Sequence, residues 1–351
     1  MDARHLRTVS GTGADVLIAG AGPAGCAAAV VCAGAGLRTV LAERLPGPVA
    51  RPGEALHPGA ETLLARLLPG GFADAVRARH EGISVGWGTE PRFEPFGRDA
   101  GGPWRGFQVD RRRLDALLLD RAREAGAEVR LGCRVGEPVV EGGAVTGVRL
   151  GASAAPLRTR TVIDATGRAR WLSRALGLTA PPRSPRLLIR YGYAAGSCPQ
   201  RDAAPAITAD RTGWTWTARV GRDRYQWMRL DFVPAQGRPR GGPPEEFAGL
   251  VPEGAARSAD VSWRLCPRAA GPGWFVAGDA GALLDPASSH GVLRALLSGW
   301  TAGSLAAGIA GRALEGAEAA GMYGSWLREG AERDMAELSA RYAELGAHGF
   351  G

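Results

Sequence analysis

The sequence predicts an α/β chain: a Rossmann-like domain assembled from discontinuous segments, an inserted β-sheet domain, and a helical C-terminus. Three observations carry this. Near the start, the apolar strands Asp15-Val16-Leu17-Ile18-Ala19 and Thr39-Val40-Leu41-Ala42 flank a Gly-rich turn and an Ala-rich helix, a βαβ unit. Apolar strands of the same buried type return much later, at Thr161-Val162-Ile163-Asp164-Ala165 and Trp274-Phe275-Val276-Ala277. Between those two, from about residue 181 to 266, the pattern changes to alternating, aromatic-rich strands. The first domain is therefore interrupted by the second.

Taken in order, the βαβ unit carries Gly20-Ala21-Gly22-Pro23-Ala24-Gly25 between its first strand and its helix. In such a fingerprint Gly20 permits the tight turn, Gly22 lets the backbone approach a pyrophosphate, and Gly25 allows close helix–strand packing. The helix N-terminus at Ala24 and Gly25 directs about half a positive charge toward phosphate. Glu43 and Arg44 end the second strand, where a carboxylate takes the adenosine ribose hydroxyls. Strand, turn, helix, strand and acidic end together point to a bound dinucleotide.

Helices are expected over 59–68 and 72–79, then a Gly- and aromatic-rich stretch over 83–107. An amphipathic helix over 114–125 follows Val109-Asp110-Arg111. Strands are expected at 128–135, 139–140 and 145–150, with Glu141-Gly142-Gly143 as a turn. The inserted region holds strands at 187–194, 213–219 and 225–232. A helix spans 292–310, and the tail over 315–345 is a long polar-faced helix or helix pair. The expected division is a flexible N-terminus (1–13), a dinucleotide-binding domain (14–80, 106–180 and 267–314), a β-rich substrate domain (81–105 and 181–266) and a C-terminal helical segment (315–351).

Composition narrows the chemistry. The 351 residues are 45% hydrophobic and 22% charged, ordinary for a folded chain of about two domains. The net charge is +8, yet all 43 basic residues are Arg; no Lys occurs. Schiff-base and other Lys-dependent chemistry is thereby excluded. The arginines are scattered and accompany no nucleic-acid-binding motif, so nucleic acid is not an expected partner. Five cysteines without a Cys-x-x-Cys pair indicate neither a disulfide framework nor a metal site. The N-terminus lacks an apolar core of a signal peptide, and no membrane span is expected, so the cytoplasm is the default compartment.

Four ordered motifs now resemble a family: Gly20-x-Gly22-x-x-Gly25, Val109-Asp110-Arg111, Asp164-Ala165-Thr166-Gly167-Arg168 and Gly278-Asp279-Ala280. Together they resemble the FAD-dependent monooxygenase superfamily, with the fold of para-hydroxybenzoate hydroxylase, across nearly the whole chain. The tryptophan-halogenase-like branch is the most similar, through Arg51-Pro52-Gly53-Glu54, the Trp214-x-Trp216 pair, and Asp285-Pro286 followed by Ser289-x-Gly291-Val292. That branch also includes flavoproteins that hydroxylate aromatic residues on protein partners. The resemblance implies that Arg51 and Glu54 fold against the isoalloxazine ring, that Arg111 and Val135 contact FAD, and that Asp279 accepts a ribityl hydroxyl. Pro286 then fixes the loop from which Gly291 and Val292 present backbone N–H groups to the flavin N1/C2=O edge.

Departures from the branch are as informative. Flavin halogenases carry a Lys in the stretch matching Glu81–Trp87, and this chain has none. Tryptophan halogenases have a Glu where Ser288 stands, and an Ile-Pro after the Trp-x-Trp pair that is missing here. Halogenation by that route is not expected. What the resemblance implies instead is hydroxylation of an aromatic or electron-rich substrate, with O2 activated as the flavin C4a-hydroperoxide. NADH or NADPH reduces the flavin, directly or through a separate flavin reductase. The substrate is a small aromatic molecule, as in natural-product biosynthesis, or a Trp or Tyr on a polypeptide. His57 and His290 lie in flavin-facing motifs and are the candidates for proton transfer. Trp214 and Trp216 share one strand face, and Trp227 with Tyr225 repeats the pattern on the next strand. Such a face either stacks a flat substrate or forms the inserted domain's own core. The alternatives are an oxidase or dehydrogenase, a reductase of the geranylgeranyl-reductase type, a halogenase-like protein without halogenation, and a partner-binding module in which FAD is structural.

Overall fold

The computed structural model describes residues 13–151, 155–179, 181–232 and 241–350; the expected N-terminal segment lies outside these apart from Gly13. A parallel core runs Glu128–Leu131, Thr39–Glu43, Ala14–Ala19, Leu157–Asp164, Trp274–Val276 across the first sheet. Its central strands are buried on both sides, which is why they read as continuous apolar runs rather than alternating ones. Antiparallel strands Val135–Glu141 and Ala144–Leu150 extend the sheet from the first half of Leu157–Asp164.

Seven helices are described: α1 (Pro23–Gly34), α2 (Gly59–Leu67), α3 (Arg111–Glu124), α4 (Trp171–Ala175), α5 (Pro199–Ala203), α6 (Gly291–Ala310) and α7 (Gly316–Glu344). Helix α6 packs on α1 through Gly299 and Gly303; a Cβ on Gly299 would run into the Ala24 carbonyl. At 20 residues α6 is long and apolar enough to cross a membrane by length and composition alone, and its glycine face is packed on α1. Asp110 caps α3, its carboxylate accepting the Arg113 N–H at 3.0 Å. The tail forms one continuous helix, α7, rather than a pair.

One expected helix is corrected. Residues 72–79 form a short 3-10 turn, Ala73–Ala75, and then a strand, Val76–His80, antiparallel to Gly106–Val109. The burial of Val76-Arg77-Ala78-Arg79-His80 alternates, with both arginines outward, so the period is two rather than 3.6.

The second sheet orders its strands Val251–Asp260, Leu188–Ala195, Arg224–Asp231, Gly213–Gly221, Ala206–Asp210, Gly82–Trp87, Arg92–Pro95. Its pairings are antiparallel except between Gly82–Trp87 and Ala206–Asp210. One face joins the main core through Ile189, Trp214, Met228 and Leu230. The opposite face carries a separate cluster of Ala194, Cys198, Tyr225, Trp227 and Phe247.

Candidate active site

The glycine turn shows three different constraints. Gly20 has φ +99°, and a Cβ there would lie 2.5 Å from the Ala165 carbonyl oxygen. A Cβ on Gly25 would collide with the Gly20 carbonyl oxygen. A Cβ on Gly22 would meet nothing within 4 Å. The space before Gly22 therefore lies outside the protein's own packing, at the N-terminus of a helix whose first N–H groups have no intrahelical partner. Pro23 and Ala24 open that helix, and Ala24 is buried. Glu43 closes the loop, accepting the Ala21 N–H on Oε2 and the Leu45 N–H on Oε1, both at 2.9 Å. Arg44 beyond it is exposed, and Val135 is half-buried at the start of its strand. These residues fit a dinucleotide: an open phosphate position, a helix N-terminus and a fixed carboxylate.

Opposite the turn, Asp164 is fully buried and its carboxylate accepts the N–H groups of Thr166 and Leu172 and the Thr166 hydroxyl, fixing the Asp-Ala-Thr-Gly turn. Gly278, at φ +63°, turns the chain just past the strand Trp274–Val276 and sets Asp279 in the 3-10 turn Gly278–Ala280. Burial pushes the Asp279 carboxyl up, while Arg168, Arg294 and Arg111 pull it down. Asp279 is thus an acid held among guanidinium groups, able to accept a hydroxyl hydrogen bond.

The Arg51–Glu54 loop shows two roles that spacing alone did not reveal. Arg111 is buried and grips Asp115 through Nε and Nη2 at 3.2 Å, while Nη1 donates to the Pro52 carbonyl at 3.2 Å. Arg111 therefore holds this loop from below, and Arg51 lies 3.7 Å from the same Asp115. Glu54 is buried with its carboxylate turned to the inserted sheet, not outward. Tyr193 donates its hydroxyl to Oε1 at 2.6 Å and Gln226 donates Nε2 to Oε2 at 3.1 Å. Burial pushes the Glu54 carboxyl up against the pull of those bonds and of Arg111. Tyr193 and Gln226 are cross-strand partners that sequence reading missed; two polar residues facing each other on an otherwise apolar face were the available signal.

His57 and His290 come together. Their ring centroids are 5.1 Å apart, edge to face, with Phe96 packed 5.8 Å from His57. His290 stands at the N-cap position of α6, directly before Gly291, without a side-chain bond to the helix, and a Cβ on Gly53 would touch Val292 at 3.7 Å. The two flavin-facing segments of the sequence are therefore adjacent in space. Burial lowers both imidazoles below the ordinary range; the His290 charge adds to the effect on His57, and Arg294 to that on His290. His57 Nδ1 accepts the Gly59 N–H at 3.0 Å, which assigns its proton to Nε2.

The three tryptophans do not form one platform. Trp214 is fully buried, and its indole N–H donates to the Tyr342 hydroxyl at 3.0 Å. Trp216 is half-buried on the same strand face, against the main core. Trp227 pairs with Thr217 and faces the other way, into the cluster with Tyr225 and Phe247. Only Trp216 of the three keeps partial exposure on the side facing the first domain. Pro286 opens the 3-10 turn Pro286–Ser288, which Asp285 caps through the Ala287 N–H. Ser288 accepts from Arg294 Nη2 at 2.7 Å.

His80, buried beside Phe96, has its pKa lowered to about 4 by burial alone. A folded-state pKa below the unfolded value means that the unfolded chain binds the extra proton first. Stability is then present above about pH 6.5 and is lost as pH falls toward 4, by about 3 kcal/mol at most. His80→Gln is expected to flatten the acid side of a plot of Tm against pH between 6.5 and 4. An unchanged slope would contradict the assignment.

A Rossmann-type sheet with this turn, this acidic strand end and an inserted, mainly antiparallel sheet defines the class of FAD-binding flavoproteins. The family described as FAD dependent oxidoreductase matches residues 15–177. A digeranylgeranylglycerophospholipid reductase of Methanoculleus marisnigri is 30% identical over 322 residues, covering 83% of this chain and 76% of that one. The flavin-dependent halogenase armH1 of Armillaria mellea is 28% identical over 366 residues, covering 89% and 68%. The solved structure of CmlS, a flavin-dependent halogenase, superposes with a TM-score of 0.83 at 23% identity, over 95% of this chain and 65% of that one. The chain belongs to the FAD-dependent oxidoreductases.

Proposed function

We propose that this FAD-dependent oxidoreductase is a monooxygenase that hydroxylates an aromatic or electron-rich substrate. The observation that carries the reading is the His57–His290 pair, 5.1 Å apart where the Gly53 loop meets Val292. Bound FAD would supply the activation of O2, with NADH or NADPH as reductant, directly or through a partner reductase. The protein's own contribution is local. Gly20, Gly22 and Gly25 admit the pyrophosphate, Glu43 takes the ribose, and Asp279 a ribityl hydroxyl. Gly291 and Val292 offer N–H groups to the pyrimidine edge. The neutral His290 is placed to take a proton from a phenol or indole, and His57, whose proton sits on Nε2, to donate one. Phe96 and Trp216 are the aromatic groups available to shield a flat substrate. A halogenase route has no Lys to use.

A second reading, an FAD-dependent reductase, is favoured by the 30% identical relative named as a lipid reductase. One experiment separates them. FAD-loaded protein is reduced with NADPH or NADH under 18O2 in the presence of a panel of phenols and indoles, and products are weighed by mass spectrometry. Products carrying one 18O atom support hydroxylation. Saturation of an added prenyl alkene without oxygen uptake would establish the reductase instead.

A further inference from the structure

Asp285 is fully buried and is held by three donors. Trp263 Nε1 reaches Oδ2 at 2.6 Å, while the Tyr342 hydroxyl and the Ala287 N–H reach Oδ1 at 2.9 Å. Tyr342 in turn accepts the Trp214 indole N–H at 3.0 Å. The chain Trp214–Tyr342–Asp285–Ala287 thus joins the inserted sheet, the last turn of α7 and the turn before α6. A second link runs parallel to it. Arg294 of α6 donates Nη1 to Asp334 of α7 at 2.8 Å and Nη2 to Ser288 at 2.7 Å. A third fixes the end of α7 against the inserted sheet: Trp87 donates to the Arg341 carbonyl at 2.8 Å and stacks on Tyr342 with a 10° interplanar angle.

The first two links end on residues 285–294, the segment that delivers the N-terminus of α6, and the third holds the end of α7 that carries Tyr342. Within it Ser289 sits at φ +55°, a left-handed conformation that a non-glycine residue keeps only where its surroundings enforce it. The turn is therefore not self-supporting. Burial pushes the Asp285 carboxyl up while its three donors and Arg294 pull it down, so removing one donor leaves a buried carboxyl less well held.

We propose that Tyr342 and Asp285 are positioning residues for the cofactor: through them α7 sets the 285–290 turn so that the Gly291 and Val292 N–H groups meet the flavin pyrimidine edge. The C-terminal helix is then a working part of the FAD site rather than an outer support. The inference rests on FAD lying at the α6 N-terminus and holds whichever substrate is oxidised or reduced; oxygen labelling decides the reaction, FAD affinity decides this.

Tyr342→Phe keeps the ring and removes the hydroxyl. FAD binding is titrated by flavin fluorescence, the visible spectrum and reduction potential of the bound flavin are recorded, and Tm is measured without FAD. The control is Tyr225→Phe, which deletes a hydroxyl bonded to Asp202 on the far face of the inserted sheet. Tyr342→Phe is expected to weaken FAD binding by about tenfold, shift the flavin band and lower the potential, because dipoles that stabilise the reduced anion are displaced. Tyr225→Phe is expected to lower Tm alone. Wild-type affinity, spectrum and potential in Tyr342→Phe would overturn the proposal. Should that variant not accumulate, Trp214→Phe, which removes the donor to Tyr342 together with part of a buried ring, is read the same way, with Tm measured beside it: FAD binding weakened beyond the loss in Tyr225→Phe supports the proposal and unchanged binding overturns it.

Discussion

Gly22→Val is expected to fold with a normal Tm and bind no FAD, whereas Gly25→Ala is expected not to accumulate as folded protein. The two positions belong to one turn, yet the space around them differs in kind. At Gly22 the backbone is extended (φ −77°, ψ −177°), a conformation valine adopts freely, and an added Cβ meets nothing within 4 Å. The only thing such a side chain displaces is whatever binds in front of the helix. At Gly25 the added atom strikes the Gly20 carbonyl, which belongs to the backbone and cannot rotate away as a side chain would. Gly20 itself is locked at φ +99° against Ala165, so the collision passes into the Asp164 turn. Helix α1 would have to lift from the sheet, taking α6 with it through Gly299. Thermal melts of the apoprotein and FAD titrations separate the outcomes. Affinity for FAD should fall at least 100-fold in Gly22→Val, about 3 kcal/mol or more. Retained FAD binding in Gly22→Val would show that the dinucleotide lies elsewhere. A folded Gly25→Ala would show that the turn tolerates more movement than its geometry implies.

This contrast also shows what was legible in the sequence. The spacing of Gly20, Gly22 and Gly25 between two apolar strands carries its own mechanism, because each glycine answers a local steric need. The parallel core was legible for the same reason: strands buried on both faces leave an uninterrupted apolar signature. Features that depend on register were not. Trp214, Trp216 and Trp227 look equivalent in sequence, but pairing sets Trp227 opposite Thr217 and so onto the other face. The resemblance implies only that the Glu54 loop lies against the flavin ring, and no spacing rule connects Glu54 with Tyr193 and Gln226 on a separate sheet. The segment 72–79 misled because a short run of alternating Arg and apolar residues matches both periods until a neighbouring strand decides it. Tyr342 lay in a tail that reads only as a polar-faced helix; nothing local marks a tyrosine that will reach Asp285.

Substitution of either histidine by glutamine is expected to leave FAD bound, to cut turnover by about 100-fold and to move the acid limb of the pH dependence. Both rings are neutral at pH 7, since burial lowers each below about 6.5, so the acid limb of kcat/KM lies below that value. The groups acting on each ring differ. His57 is lowered by burial and by His290; His290 is lowered by burial and Arg294 and raised by Asp334 and Glu337. In His290→Gln the residual activity depends on His57 freed of its neighbour's charge, and its acid limb should move up toward 6.5. In His57→Gln the limb belongs to His290, which loses the same mutual repulsion, so it should also move up while Arg294, Asp334 and Glu337 go on acting on the ring. His57 has a further restraint, because protonating Nδ1 would break the bond from the Gly59 N–H and loosen the start of α2. Flavin content is measured beside each rate, so that loss of cofactor is not mistaken for loss of proton transfer. Turnover within about twofold of wild type in both variants would remove the histidines from the chemistry. An acid limb that stays in place in both variants would mean that the two rings do not act on each other's titration.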